Sequence, residues 1–181
     1  MLITSLTKPV CWLLPLLAIS LTGCGLTQTV SDGTRSAVSS IFYKKIKVLH
    51  LDFTAREGLN TDARENHSSP QSLVIRIYQL KDSKTFDRLV YQQLATDGDQ
   101  LLGADLLASR DVVLTPGGAV NLNMPMEQEA QFVAVVALFR QPDLAKKSWQ
   151  QVLQREALNP DQPRVLEAAD NSLILQPLKD K

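Results

Sequence analysis

Two cysteines, two histidines and 19 carboxylates are the side chains of this 181-residue chain whose chemistry could serve catalysis or metal binding. A Ser–His–Asp hydrolase could draw on His50 or His67. His50 stands beside Asp52 in an alternating apolar pattern, which predicts a sheet-surface residue. His67 falls in a polar stretch and is expected in solvent. Two histidines this far apart, without nearby cysteines, make a poor zinc site, so no metal is expected. Asp97/Asp99 and Glu127/Glu129 are paired carboxylates, but nothing in the pattern sets them in a cleft. Lys146-Lys147, near Trp149, reads as a basic loop end. Asn66-His67-Ser68 spells a glycosylation acceptor. Ser5-x-x-Lys8 matches an acyl-enzyme pattern, yet it lies in an apolar N-terminal segment. There is no Gly-x-Ser-x-Gly, no phosphate-cradling Gly-rich loop and no His-Glu-x-x-His. No enzyme is expected.

The one side chain with a chemical context is Cys24. Lys8 precedes a short apolar run, Val10 to Leu21, which holds Pro15. The run is too short for a spanning helix, which needs ~20 apolar residues. A cation, a run of this length and small residues after it read as a secretory signal. Leu21-Thr22-Gly23-Cys24 closes it and resembles the bacterial lipoprotein signal. Cleavage between Gly23 and Cys24 would free a thiol that carries a diacylglyceryl group and an amine that takes a third acyl chain. Asn66-His67-Ser68 then carries little weight, because this signal implies a bacterial cell. Residues 1–23 are therefore expected to be removed, with 24–44 as lipidated N-terminus and tether. Cys11 leaves with the signal and Cys24 is acylated, so no disulfide or thiol chemistry is expected. A covalent lipid on Cys24 is the only group expected, and no cofactor.

Composition agrees with one exported domain. The chain is 44% hydrophobic and 21% charged, with an even 19 cations and 19 anions. That excludes a polytopic membrane protein, a disordered chain, a collagen and a coiled coil. A balanced charge and 6% aromatics also argue against nucleic acid as a partner. About 150 residues can bury a core without disulfide staples.

The elements that must position any site are mostly strands. Leu49, Leu51 and Phe53 alternate with polar residues, and Ser72–Leu80 is rich in β-branched residues. Between them lies a polar stretch, Ala55 to Gln71, longer than the ~4–6 residues usual for a connection. Phe86, Leu89, Val90, Gln93 and Leu94 have helical spacing, with Ser83 or Thr85 as cap and Asp97-Gly98 as stop. Leu101 to Ala108 predicts a second short helix, so 82–109 is expected as a helical insertion. Asp111–Leu114 and Val120–Met124 read as a hairpin around Thr115-Pro116-Gly117-Gly118. Phe132–Phe139 is apolar on both faces and predicts a central strand. Trp149–Glu156 and Val165–Leu175 supply two or three more. The expected fold is mainly β: a two-sheet antiparallel β-sandwich over 45–177 with a small helical insertion, and 178–181 as tail.

The lipoprotein signal, Val74–Leu80, Phe86, Leu101–Leu107, Leu114-Thr115-Pro116-Gly117, Phe132–Arg140 and a following Trp149 occur in an order that resembles the TssJ (SciN/VasD) family. These are the outer-membrane lipoproteins of bacterial type VI secretion. The resemblance implies a transthyretin-like sandwich without catalytic function, held by its lipid to the outer membrane and facing the periplasm. It implies binding to the periplasmic domain of TssM, an IcmF-like inner-membrane protein, with TssL in the same complex. Gly25, not Asp, after the lipidated cysteine fits sorting to the outer membrane. In the family the loop between the first two strands is implicated in TssM binding. Here that loop is 55–71, and Glu57, Leu59, Asn60, Asp62, Arg64, Glu65, Asn66 and His67 are the expected contact residues. Leu59, its one large apolar residue, is the expected anchor, and the loop is expected to tolerate shortening. No small-molecule substrate is implied. A competing reading is a periplasmic ligand carrier or envelope-assembly lipoprotein on the same fold, which would need an apolar pocket of ~300–1,000 Å³.

Overall fold

The computed structural model of the chain describes residues 46–62 and 64–178. Gly23, Cys24 and the tether lie outside the described residues. Among the described residues, eight strands form two four-stranded sheets. In the first, Val48–Ala55 (β1) alternates inward Leu49, Leu51 and Phe53 with half-exposed His50 and Asp52. It pairs antiparallel with Ala119–Pro125 (β4), Leu51 opposite Leu122, and parallel with Arg164–Ala169 (β7), Phe53 opposite Leu166. Ser172–Leu175 (β8) completes the order β4-β1-β7-β8. The second sheet runs β3-β2-β5-β6, from Leu106–Leu114 (β3), Leu73–Leu80 (β2), Phe132–Ala137 (β5) and Gln150–Gln154 (β6).

The two-sheet sandwich is the fold expected from the strand pattern, and β5 is the internal, doubly covered strand its apolar run predicts. The space between the sheets is filled by a single cluster that includes Leu49, Leu51, Phe53, Ile75, Ile77 and Leu166. Gln79 is a polar residue in that interior, wholly buried. Its amide nitrogen donates to the Pro125 carbonyl and its oxygen accepts from the Glu127 N–H, each at 2.8 Å. A buried amide used at both ends carries little desolvation penalty, and this one ties β2 to the end of β4 in the facing sheet.

The outer face of the second sheet is covered by the insertion. Lys84–Arg88 (α1) and Tyr91–Leu102 (α2) are separated by extended Leu89 and Val90. Phe86 and Leu94 are fully buried, and the Phe86 ring meets Tyr78 of β2 edge-on at 6.3 Å. Arg76, also on β2, donates to the Leu94 carbonyl and holds Asp111 of β3 through two hydrogen bonds of 2.9 and 3.0 Å. The insertion is shorter than the expected 82–109. After a 3-10 turn at Gly103–Asp105, β3 begins at Leu106, and Leu107 and Ala108 are strand residues. Their helical spacing is outweighed by pairing across the sheet, Leu106 opposite Leu80 and Ala108 opposite Gln79 with Leu107 at the irregularity between, a contact invisible to local periodicity.

The expected β3–β4 hairpin is also corrected. The turn is as predicted: Gly117 has φ +68° and the Gly118 N–H bonds the Thr115 carbonyl at 2.9 Å. Yet β3 pairs with β2 and β4 with β1, so the turn carries the chain from one sheet to the other. Turn chemistry sets a reversal but not the strand that each arm will join. Likewise β1 and β7 run parallel inside an otherwise antiparallel sandwich.

Gly98 is a helix residue that the packing requires. A Cβ there would stand 2.2 Å from the Tyr78 hydroxyl oxygen and 3.1 Å from its ring carbon. Gly98→Ala should therefore destabilise the domain by about 1–3 kcal/mol in thermal or urea unfolding, although alanine is the better helix former. Tyr78→Phe in the same chain should recover part of that loss. Equal destabilisation with and without the hydroxyl would exclude the close approach.

Candidate binding face on the loop between the first two strands

The stretch from Arg56 to Ser72 carries almost no secondary structure, but it is built into the domain. Leu59 is fully buried in the core cluster. Asn60 follows, 3% exposed with φ +55°, a backbone state that asparagine tolerates better than most residues. Its N–H donates to the Asp170 carbonyl at 2.7 Å, in the β7–β8 turn. Its side-chain nitrogen donates to the Ser72 carbonyl at 3.1 Å, and its side-chain oxygen accepts from the Arg140 N–H at 2.8 Å. One buried asparagine thus holds the start of β2, the segment after β5 and the turn between β7 and β8. Asn171 adds a bond from its amide to the Thr61 carbonyl, and the Gln71 N–H bonds the Leu59 carbonyl.

Asp62 is the second fixed point. It is 6% exposed and accepts from the Arg64 guanidinium at 2.9 and 3.1 Å, from the Arg64 N–H at 2.9 Å and from the Gln141 amide. Its own N–H donates to Ser68 Oγ at 2.5 Å. The guanidinium and backbone N–H of Arg64 hold the Asp62 carboxyl down to about 2. Arg140 reaches the same corner and pairs with Glu65 at 2.6 Å.

The eight residues expected as partner contacts therefore divide. Glu57, Arg64, Glu65, Asn66 and His67 are exposed and share the surface of the braced loop. Leu59, Asn60 and Asp62 are buried and shape the loop from beneath. Leu59 is corrected from surface anchor to core residue, because Ala55–Gln71 packs on the end of the sandwich. The loop's length is likewise not free: cutting Gly58–Ser68 would remove a core leucine and both fixed points. Local pattern missed Arg140, Gln141, Asp170 and Asn171, which join the loop from distant segments. Asp170-Asn171 carried a turn signal, and Asp170 has φ +51°; nothing local marked the other two. Among the candidates for chemistry, His50 sits on the sheet surface with Nδ1 2.5 Å from Asn123 Oδ1, and His67 stands exposed on the loop. Among the described residues no group of three or more His, Cys, Asp or Glu could hold a metal ion.

Fold and face together define a class: a β-sandwich whose built feature is a braced, charged surface at one end. Comparison with known proteins makes it specific. The profile of the type VI secretion lipoproteins (SciN, VasD, EvfM, TssJ) matches residues 47–171, and the chain belongs to this family. Among solved structures, a chain in one described as "T6SS protein TssM C-terminal domain (869-1107) from EAEC" is 46% identical, with TM-score 0.66 over 74% of this chain and 100% of that one. A chain of a "Type VI membrane complex" is 47% identical, with TM-score 0.68 over 74% and 100%. The lipoprotein TssJ1 of Pseudomonas aeruginosa, 22% identical, shares the fold, with TM-score 0.58 over 75% and 100%. No curated protein sequence matches.

Two measurements check the loop. Asn60→Ala should cost about 1–3 kcal/mol, from lost hydrogen bonds at a buried site plus an unfavourable φ. Asn60→Gly, which keeps the backbone state, should cost less in the same unfolding assay. Asp62 sits below its ordinary value of 3.8 when folded. Its contribution is therefore complete above pH ~4 and lost as pH falls toward 2. Hydrogen exchange at the Arg64 N–H, corrected for intrinsic pH dependence, should show protection falling through that window, and Asp62→Asn should abolish the change.

Proposed function

We propose that this protein is the outer-membrane lipoprotein of a type VI secretion system. It is acylated on Cys24 after cleavage at Gly23, faces the periplasm and catalyses no reaction. Its loop between β1 and β2 binds the periplasmic domain of the IcmF-like protein TssM, and with TssL it tethers the membrane complex. Membership of the secretion lipoprotein family supports this, as does the lipoprotein signal at Leu21–Cys24. The observation that carries the TssM reading is the match to the structure described by a TssM C-terminal domain. The matched chain is fully covered by three quarters of this 181-residue chain. It is thus far shorter than the span 869–1107, and so it is a companion of that fragment rather than the fragment itself.

The direction of β1 supports the same reading. Ile46, where the tether would join, is held at the strand's start by Arg155, and the loop leaves from its end. Eight residues at ~3.3 Å each separate the two by roughly 26 Å. The loop thus lies at the opposite end of β1 from Ile46. Three acyl chains hold far more firmly than one, which alone is marginal at ~0.8 kcal/mol per buried CH₂.

Two variants test the proposal. Cys24→Ser should leave a folded protein that no longer fractionates with outer membrane and no longer supports secretion; retention in that fraction would refute the anchor. Glu57→Lys with His67→Glu changes exposed loop residues only. It should leave the melting temperature unchanged and weaken binding to the purified TssM periplasmic domain at least tenfold, or ~1.4 kcal/mol. Unchanged affinity would move the interface off this loop.

A further inference from the structure

An apolar groove of about 460 Å³ lies between the α1–α2 corner and the segment from Pro142 to Trp149. Leu89, Val90 and Tyr91 form one wall and Pro142 and Leu144 the other. Trp149 is buried against Tyr91, ring to ring at 5.1 Å, and the Tyr91 hydroxyl donates to the Phe139 carbonyl at 2.6 Å. These contacts fix the shape of the groove. Val90 and Leu144 nevertheless stay 60% and 63% exposed, the two most exposed large apolar side chains among the described residues. Side chains of this kind, flanking a rigid aromatic pair, mark contact sites.

The charged side chains that line it have one sign. Arg88, Arg140 and Lys147 line the groove, and no carboxylate does. Arg140 is turned to Glu65 at 2.6 Å, but neither Arg88 nor Lys147 makes an ion pair among the described residues. Arg140 also joins the groove to the loop, since its N–H is held by Asn60. The groove and the exposed face of 56–72 are thus adjoining parts of one surface.

We propose that this groove is a second docking site for the partner that meets the loop, and that it receives an apolar side chain flanked by carboxylates. The chemistry follows from the lining: the apolar walls take a Leu, Ile, Phe or Trp, and the two unpaired cations select acidic neighbours. The inference rests on the TssM reading for the identity of the partner and extends it to a surface remote in sequence from the loop.

The test is a titration of the full mature chain with the purified TssM periplasmic domain from the same secretion locus, at low and at 0.5 M salt. Leu144→Asn and Val90→Thr remove exposed apolar surface without touching the core. Arg88→Glu with Lys147→Glu reverses the rim. Each should weaken binding at least tenfold at low salt with the melting temperature unchanged. The loss from charge reversal should shrink at high salt, and the losses at Leu144 and Val90 should not. Wild-type affinity in all three would overturn the groove while leaving the loop reading in place. Sensitivity at Leu144 and Val90 but not to charge reversal would overturn the acidic flanks in favour of a purely apolar contact with the partner. No binding by the wild-type chain would overturn both readings together.

Discussion

The amide of Asn60 joins three parts of the chain that are far apart in sequence: Ser72 at the start of β2, Arg140 after β5 and, through its N–H, Asp170 between β7 and β8. Beside it Leu59 fills the end of the core. Both sheets are represented among those partners, so this residue closes one end of the sandwich. A connection of this length would ordinarily be mobile. Here its buried side chains make it a fixed surface, and its polar exterior is held in place by apolar and hydrogen-bonded contacts beneath. Rigid presentation lowers the ordering cost of binding, which is the physical advantage a braced loop would have in the proposed role.

The other end and the flank are settled by different devices. Gln79 bridges the sheets near the start of β1 with both ends of its amide used. On the flank, the insertion covers β2 because Tyr78 can lie beneath Gly98, and because Arg76 satisfies the Leu94 carbonyl. The same insertion turns at the Leu89–Val90 corner that walls the apolar groove. A single feature thus protects the sheet and shapes a surface.

Both candidate contact regions meet at Arg140. Its backbone is fixed by Asn60 and its side chain by Glu65, and it also lines the groove. One surface made from the loop, the segment after β5 and the helical corner suits the partner-binding role proposed for it. Its strength would come from several modest contacts spread over preorganised backbone, not from one cleft.

Strand periodicity in β1, the doubly apolar β5 and the Pro-Gly-Gly turn were legible because each follows from neighbours in the chain: alternate faces, burial on both sides, a positive φ. The lipoprotein signal and the order of the strand motifs were equally local, and they carried the family. Pairing was not local. The turn at Thr115–Gly118 crosses between sheets, β7 lies parallel to β1, and Leu106 and Ala108 leave a helical spacing to pair with β2. Those choices depend on which distant edge offers hydrogen bonds and apolar cover. The loop shows the same division. Its extent and its exposed charges were plain from composition, but Leu59, Asn60 and Asp62 became internal only because Arg140, Gln141 and the Asp170–Asn171 turn converge on them in space. Burial is a property of the folded neighbourhood, so only the tertiary structure could turn a polar stretch of chain into a surface.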